Sequence, residues 1–156
     1  MLDLFKYNWQ VRDEWFEWCQ DVPGEELVKK RIGGMGSILH TLYHVCDCEQ
    51  IWINQLQDTP VIDKDMNAVS TLEEVVAFSA LTRENTGRFL QNYCDDWEQK
   101  PFTYHGRNGR SLSFTYGKAL LHIITHEIHH IGQLSVWSRE IGRKPVSSDL
   151  LIRQFN

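Results

Sequence analysis

Four segments of this chain of 156 residues carry apolar side chains at the spacing of an α-helix. They span residues 2–20, 37–57, 70–93 and 113–141. The first ends at the turn formed by Pro23 and Gly24, and the second opens with Ser37 in the position of an N-cap. Four long helices in a chain of this size predict an all-α protein, a four-helix bundle that forms a single domain over residues 1–156.

Two connections interrupt the helical pattern. Residues 58–70 contain Asp, Pro, Lys and Asn without periodicity, so we expect a long crossover loop there. Further along, Phe102 and Tyr104 alternate with polar residues, as do Leu112 and Phe114 after an Asn-Gly pair at 108–109. An Asn-Gly pair between two alternating runs is a good short-range signal for a hairpin. The sequence therefore predicts a small β-hairpin directly before the last helix.

Charge and cysteine content exclude several classes of function. The net charge is −5, with Lys and Arg scattered, whereas a nucleic-acid surface needs a concentrated basic face. No segment approaches the roughly 18 apolar residues of a membrane span, and charges stand where a signal peptide needs an apolar run. The four cysteines lack the spacing of a disulfide framework. We therefore expect a cytoplasmic protein with reduced thiols, no nucleic-acid partner and no membrane association.

Histidines form a stripe on the fourth predicted helix. His122, His126 and His130 are spaced four residues apart, and each such step advances a helix by about 6 Å and rotates it by about 40°. A polar stripe on a helix that must pack is costly unless its groups are satisfied. A single histidine there would be explained by solvent or a hydrogen bond, but three on one stripe, with His129 beside them, favour a metal site.

A matching pair of histidines lies on the second predicted helix. His40 and His44 are again four residues apart, and Cys48 continues their stripe. One of these histidines, together with two from the fourth helix, would make a site of three imidazoles with a position left open for water or substrate. On spacing alone, His40 or Cys48 could take the place of His44. Imidazole ligands suit zinc, nickel, copper and iron, so the residues leave the metal open.

Residues 126–130 also spell His-Glu-x-x-His, the motif of zinc proteases. A protease of that kind needs a third ligand after the motif, and no histidine follows His130. The predicted strands are also too few for the sheet that precedes the motif in such enzymes. A protease is therefore disfavoured. Glu127 could serve as a base that acts on water at the metal, or it could be an ordinary glutamate on the helix surface.

An ordered set of short motifs spans nearly the whole chain. The set comprises Tyr7-Asn8-Trp9, Val22-Pro23-Gly24, Gly36-Ser37-Ile38, Glu49 with Trp52, and the run from His122 to Gln133. In this set the chain resembles the DinB-like family of helical bundle proteins, whose wider superfamily includes the YfiT-like bacillithiol transferases. The resemblance implies an up-down-down-up bundle, often a homodimer, with a metal triad at His44, His126 and His130. Ile131 departs from the arginine common in the family, which puts an anion contact there in doubt.

The resemblance also implies a reaction class. We expect a divalent metal ion, Zn or Ni, and a metal-dependent transferase that joins a low-molecular-weight thiol such as bacillithiol to a small electrophile. Two alternatives stay open: a hydrolase that activates water at the metal with Glu127 as base, and a stress-response protein that binds metal without turnover. His122 is expected to flank the site. Trp15 and Trp18 are expected either at a homodimer interface or in the core.

Overall fold

A computed structural model describes residues 1–105 and 109–155, and this part of the chain is mostly helical. Its helices are α1 (Leu2–Gln20), the short α2 (Gly24–Val28), α3 (Ile38–Leu56), α4 (Leu72–Leu90) and α5 (Tyr116–Glu140). Strands β1 (Pro101–His105) and β2 (Ser111–Thr115) precede α5. The prediction of a helical protein with one small hairpin is therefore confirmed.

Hydroxyl side chains cap the start of the long helices α3, α4 and α5. Ser37 accepts from the backbone N–H of His40 at the start of α3, as predicted. At the start of α4, Thr71 accepts from the N–H of Glu74 and the Glu74 carboxylate accepts from the N–H of Thr71, which completes a capping box. Thr115 caps α5, so this helix begins later than predicted because residues 111–115 are paired in β2.

The four long helices pack into one assembly in which α3 and α1 each contact both α4 and α5. Near the ends of α3 and α4, the side-chain amide of Asn85 donates to Asn54, 3.1 Å away. The start of α5 meets the end of α3, where the Tyr116 hydroxyl donates to the carbonyl of Leu56 at 2.9 Å. In the described part of the chain, no helix is both long and apolar enough to cross a membrane.

The two tryptophans considered for a dimer surface lie in different environments. Trp15 is fully buried and belongs to the core with Val11 and Tyr43, so the interface alternative is wrong for this residue. It lies on the inward face of α1, where burial of its large apolar ring is favourable. Trp18 is half-buried against the edge of Trp15, and its indole N–H donates to the carbonyl of Lys144 at 3.0 Å.

The hairpin packs against α3 through aromatic side chains. Phe102 faces Phe114 across the antiparallel strands. The ring of Trp52 on α3 lies 5.5 Å from the rings of both Tyr104 and Phe114. The predicted Asn-Gly turn falls at residues 106–109, of which 106–108 lie outside the described residues.

The capping box of α4 gives a test of the fold. Thr71→Ala removes the acceptor of the Glu74 N–H and should lower the free energy of unfolding by about 1 kcal/mol, as measured by urea denaturation. Thr71→Ser keeps a hydroxyl in the same place and should stay close to wild type. Equal losses in the two variants would contradict the proposed cap.

Candidate metal centre

Three histidines from two helices meet at one point. The Nε2 atom of His126 lies 3.1 Å from Nε2 of His44 and 3.2 Å from Nε2 of His130. One ligand nitrogen from each ring lies within 4.8 Å of the other two. His126 and His130 are successive positions on one face of α5, and α3 packs against that face with His44. The structure thus brings together the three residues predicted as metal ligands.

Two of the nitrogen–nitrogen distances in this group match those of a metal site. A tetrahedral ion with metal–nitrogen bonds of roughly 2.0–2.1 Å holds its imidazole nitrogens about 3.3 Å apart. Nε2 of His126 lies 3.1 and 3.2 Å from those of His44 and His130, close to this value. Converging nitrogen lone pairs repel one another unless a proton or a cation lies between them. The residues His44, His126 and His130 could therefore hold a divalent metal ion.

The three imidazoles are held in the neutral form that metal binding needs. Burial lowers the pKa of His44 to about 4, and the neighbouring His130 adds to this effect. Burial also lowers the pKa of His126 to about 3, with further contributions from the other histidines. The pKa of His130 is lowered by burial as well. Near neutral pH each ring therefore carries a free lone pair that a cation can accept.

Gln133 sets the orientation of one imidazole. Its side-chain carbonyl accepts from Nδ1–H of His130 at 2.8 Å, which leaves Nε2 of that ring unprotonated toward the centre. Its amide donates to His129 at 3.1 Å. Gly34 packs closely over Gln133: a Cβ at this position would lie 2.6 Å from the Gln133 carbonyl oxygen and 2.9 Å from Trp137. The Gly-rich segment before α3 therefore packs against Gln133, the residue that orients His130.

The other candidate ligands lie outside the triad. Nε2 of His40 lies 3.2 Å from the carbonyl oxygen of Val69. Cys48 is buried, and burial raises the pKa of its thiol to about 12, so it stays protonated. His105 is exposed on β1 beside Ser111. Among the described residues, only His44, His126 and His130 form a group of three or more potential ligands.

His122 flanks the centre, as expected. Its ring centroid lies 5.6 Å from that of His126 on one side and 5.6 Å from that of Trp52 on the other. The side chain is exposed, and it is not a member of the three-histidine group. His122 therefore lies between the candidate metal centre and the aromatic side chains under the hairpin.

Glu127 lies in the interior of the packed helices, at 1% exposure, and both of its oxygens accept hydrogen bonds. The guanidinium of Arg12 on α1 donates from Nε to one oxygen at 2.8 Å and from Nη2 to the other at 2.6 Å. Nη2 also donates to Glu49 of α3 at 2.7 Å, and Thr86 of α4 donates to the same carboxylate. The alternative of an ordinary surface glutamate is wrong for Glu127, because the residue is buried in this ion-pair cluster.

The buried ion pairs of Arg12 were not predicted, although the sequence carries a signal for them. Arg12 falls between Trp9 and Phe16 on the apolar stripe of α1. Glu127 likewise falls between Ile124 and Ile131 on the buried side of α5. Charged residues on apolar stripes of separate helices favour buried ion pairs, since an unpaired charge is too costly to bury.

Comparisons with known proteins relate this chain to a protein family. The sequence model of the DinB family matches residues 1–155. The chain is also similar to the uncharacterized protein YizA of Bacillus subtilis (strain 168), with 41% identity over 153 residues. That match covers 98% of this chain and 95% of the relative.

The neutral imidazoles predict how the stability of the metal-free protein depends on pH. An unfolded histidine binds a proton below pH of about 6.5, whereas folded His126 does so only near pH 3. The unfolded state therefore binds more protons over this interval, and the free energy of unfolding should fall as the pH is lowered from about 7 to about 4. Urea denaturation in the presence of a chelator measures this slope.

Two variants separate this contribution from the general effect of acid. His126→Gln removes one of the histidines with a lowered pKa and should weaken the dependence of the free energy of unfolding on pH. His105→Gln changes an exposed histidine outside the triad and should leave the slope as in wild type. A His126→Gln slope equal to that of wild type would contradict the assignment.

Proposed function

This chain belongs to the DinB family, and on that premise we propose that it is a single-domain, metal-dependent transferase that joins a low-molecular-weight thiol to a small electrophile. The observation that carries the proposal is the convergence of the Nε2 atoms of His44, His126 and His130. When bound, a divalent ion, Zn or Ni, would supply positive charge that favours the thiolate form of a thiol. Bacillithiol is the thiol that the family resemblance suggests.

In the proposed reaction the thiol sulfur gives up its proton to solvent and forms a bond to an electrophilic carbon of the second substrate. The bond from that carbon to the leaving group breaks, and the group departs with the electron pair. The protein residues have two tasks in this reaction. The triad holds the ion through three neutral donors, which leave its charge undiminished, and Gln133 keeps the His130 ring in the required orientation.

The buried position of Glu127 disfavours a hydrolase. A general base needs a free oxygen within hydrogen-bond reach of the water that it activates. Both oxygens of Glu127 accept from Arg12 instead, which favours a role in positioning α5. Glu127 as a base therefore belongs to the less favoured hydrolase alternative.

The number of protein ligands favours catalysis over metal storage. Structural zinc sites are closed by four protein ligands, whereas catalytic sites keep a position open. Among the described residues the group has three members, and the two other candidates on α3, His40 and Cys48, do not belong to it. The centre would therefore leave a position open to a substrate.

The proposal includes further properties that the family resemblance implies. These are an up-down-down-up order of the long helices, a homodimer and a cytoplasmic location. The order of the helices is supported by two contacts. Tyr116, at the start of α5, meets Leu56 at the end of α3, and Asn85 and Asn54 meet near the ends of α4 and α3.

Metal titration tests the triad directly. Protein made without a histidine tag and stripped with a chelator should bind one Zn²⁺ or Ni²⁺ per chain in calorimetry. His126→Ala should bind at least about 100-fold more weakly, since loss even of a group that only orients a ligand costs 10–100-fold. Cys48→Ala, which removes a rejected ligand from α3, should bind like wild type. Equal affinity of His126→Ala and wild type would refute the triad.

The reaction is tested by following the consumption of a thiol-reactive dye with bacillithiol, glutathione or cysteine. Wild-type protein loaded with metal should accelerate the reaction with at least one thiol. Metal-free protein and His126→Ala should fall to the uncatalysed rate, because the charge that favours the thiolate is then missing. Absence of metal-dependent acceleration with all three thiols would contradict a transferase.

A further inference from the structure

A small apolar cleft lies beside the candidate metal centre, between β2, α3 and the first turns of α5. Its volume is about 220 Å³. The residues that line it are Trp52, Leu112, Phe114, Lys118, Ala119 and His122. Four of these six side chains are aliphatic or aromatic without charge, and no carboxylate is among them. The cleft thus suits an apolar ligand and does not repel an anionic one.

The cleft is joined to the centre by a short chain of rings. Trp52 forms one wall, and its ring lies edge-on to Phe114 at 5.5 Å and to His122 at 5.6 Å. His122 in turn lies 5.6 Å from His126. A molecule in the cleft would therefore contact His122, which separates it from His126 of the triad.

The cleft carries one charge, on Lys118. This side chain is exposed on the first turn of α5 and makes no ion pair with any described residue. An ammonium group beside apolar walls recognises a ligand that is apolar along most of its length and carries a negative group at one point. The volume restricts the size: pockets for drug-sized ligands measure about 300–1,000 Å³, whereas a cavity of about 150 Å³ holds benzene.

We propose that this cleft binds the aromatic part of the electrophilic substrate, one or two fused rings in size, and that Lys118 pairs with an anionic substituent on it. The inference deepens the proposed function, on which it rests, by naming a substrate class. Binding in the cleft itself requires neither the metal nor the thiol. The two proposals can therefore fail separately.

Calorimetry of metal-free wild-type protein with 2-naphthalenesulfonate tests the cleft. Binding should be detectable, and uncharged 2-naphthol should bind as well. Lys118→Gln should weaken the sulfonate by about three- to fivefold, as expected for an exposed charge pair, and leave 2-naphthol unchanged. Leu112→Ser should weaken both probes by about fivefold through the loss of apolar contact. The control is Leu121→Ser, which changes an exposed leucine of α5 outside the cleft and should bind both probes like wild type.

The remaining outcomes decide between the two proposals. Sulfonate binding that persists in His126→Ala, together with loss of thiol transfer, supports the cleft as a separate element of the site. Sulfonate binding without any thiol transfer in wild type supports the cleft and overturns the transferase. No binding of either probe to wild type, or the same affinity in Leu112→Ser as in wild type, overturns the cleft. Circular dichroism of each variant verifies that it is folded.

Discussion

The ion-pair cluster around Arg12 is the interaction on which the arrangement of the helices depends. Arg12 on α1 binds Glu49 on α3 and Glu127 on α5, and its guanidinium also lies 3.3 Å from Ser79 on α4. All four long helices therefore contribute to one buried polar group. Removal of one partner from a buried ion pair costs about 3–5 kcal/mol, because the other charge is left uncompensated. Such a cluster favours one relative position of the helices over a rotated or shifted packing.

That position is also the one that assembles the candidate metal centre. Glu127 is adjacent to His126 in sequence, and Glu49 follows His44 by five residues on the same helix. When Arg12 fixes both carboxylates, the heights of α3 and α5 relative to each other are fixed too. A shift of α5 by a single turn, about 5.4 Å, would separate His44 from His126 by more than a metal ion can bridge. The ion pairs of Arg12 therefore determine both the packing of the helices and the geometry of the candidate metal centre.

Helical periodicity and histidine spacing sufficed to predict the helices and the two histidine stripes, and the alternating runs around an Asn-Gly pair sufficed to predict the hairpin. They did not decide among His40, His44 and Cys48, which share one stripe and differ only in height along α3. The height depends on tertiary contacts such as those of Arg12, which no local pattern reports. The burial of Trp15 was left open for the same reason. Residues on both sides of α1 are aromatic, and the inward face is defined only once α4 and α5 are present.

The buried cluster around Arg12 would complement the charge of a cation held by the neutral triad. One guanidinium faces two carboxylates, so the interior beside the centre carries an excess of negative charge when both are ionised. Burial lowers the pKa of His130, and the hydrogen bond to Gln133 and, more weakly, the Glu127 carboxylate act against this shift. A cation held by three neutral donors would be stabilised by this negative charge in an environment of low dielectric constant. The charge that would balance such an ion lies behind the ligands, and a centre with three protein ligands would leave the side facing solvent open to a substrate.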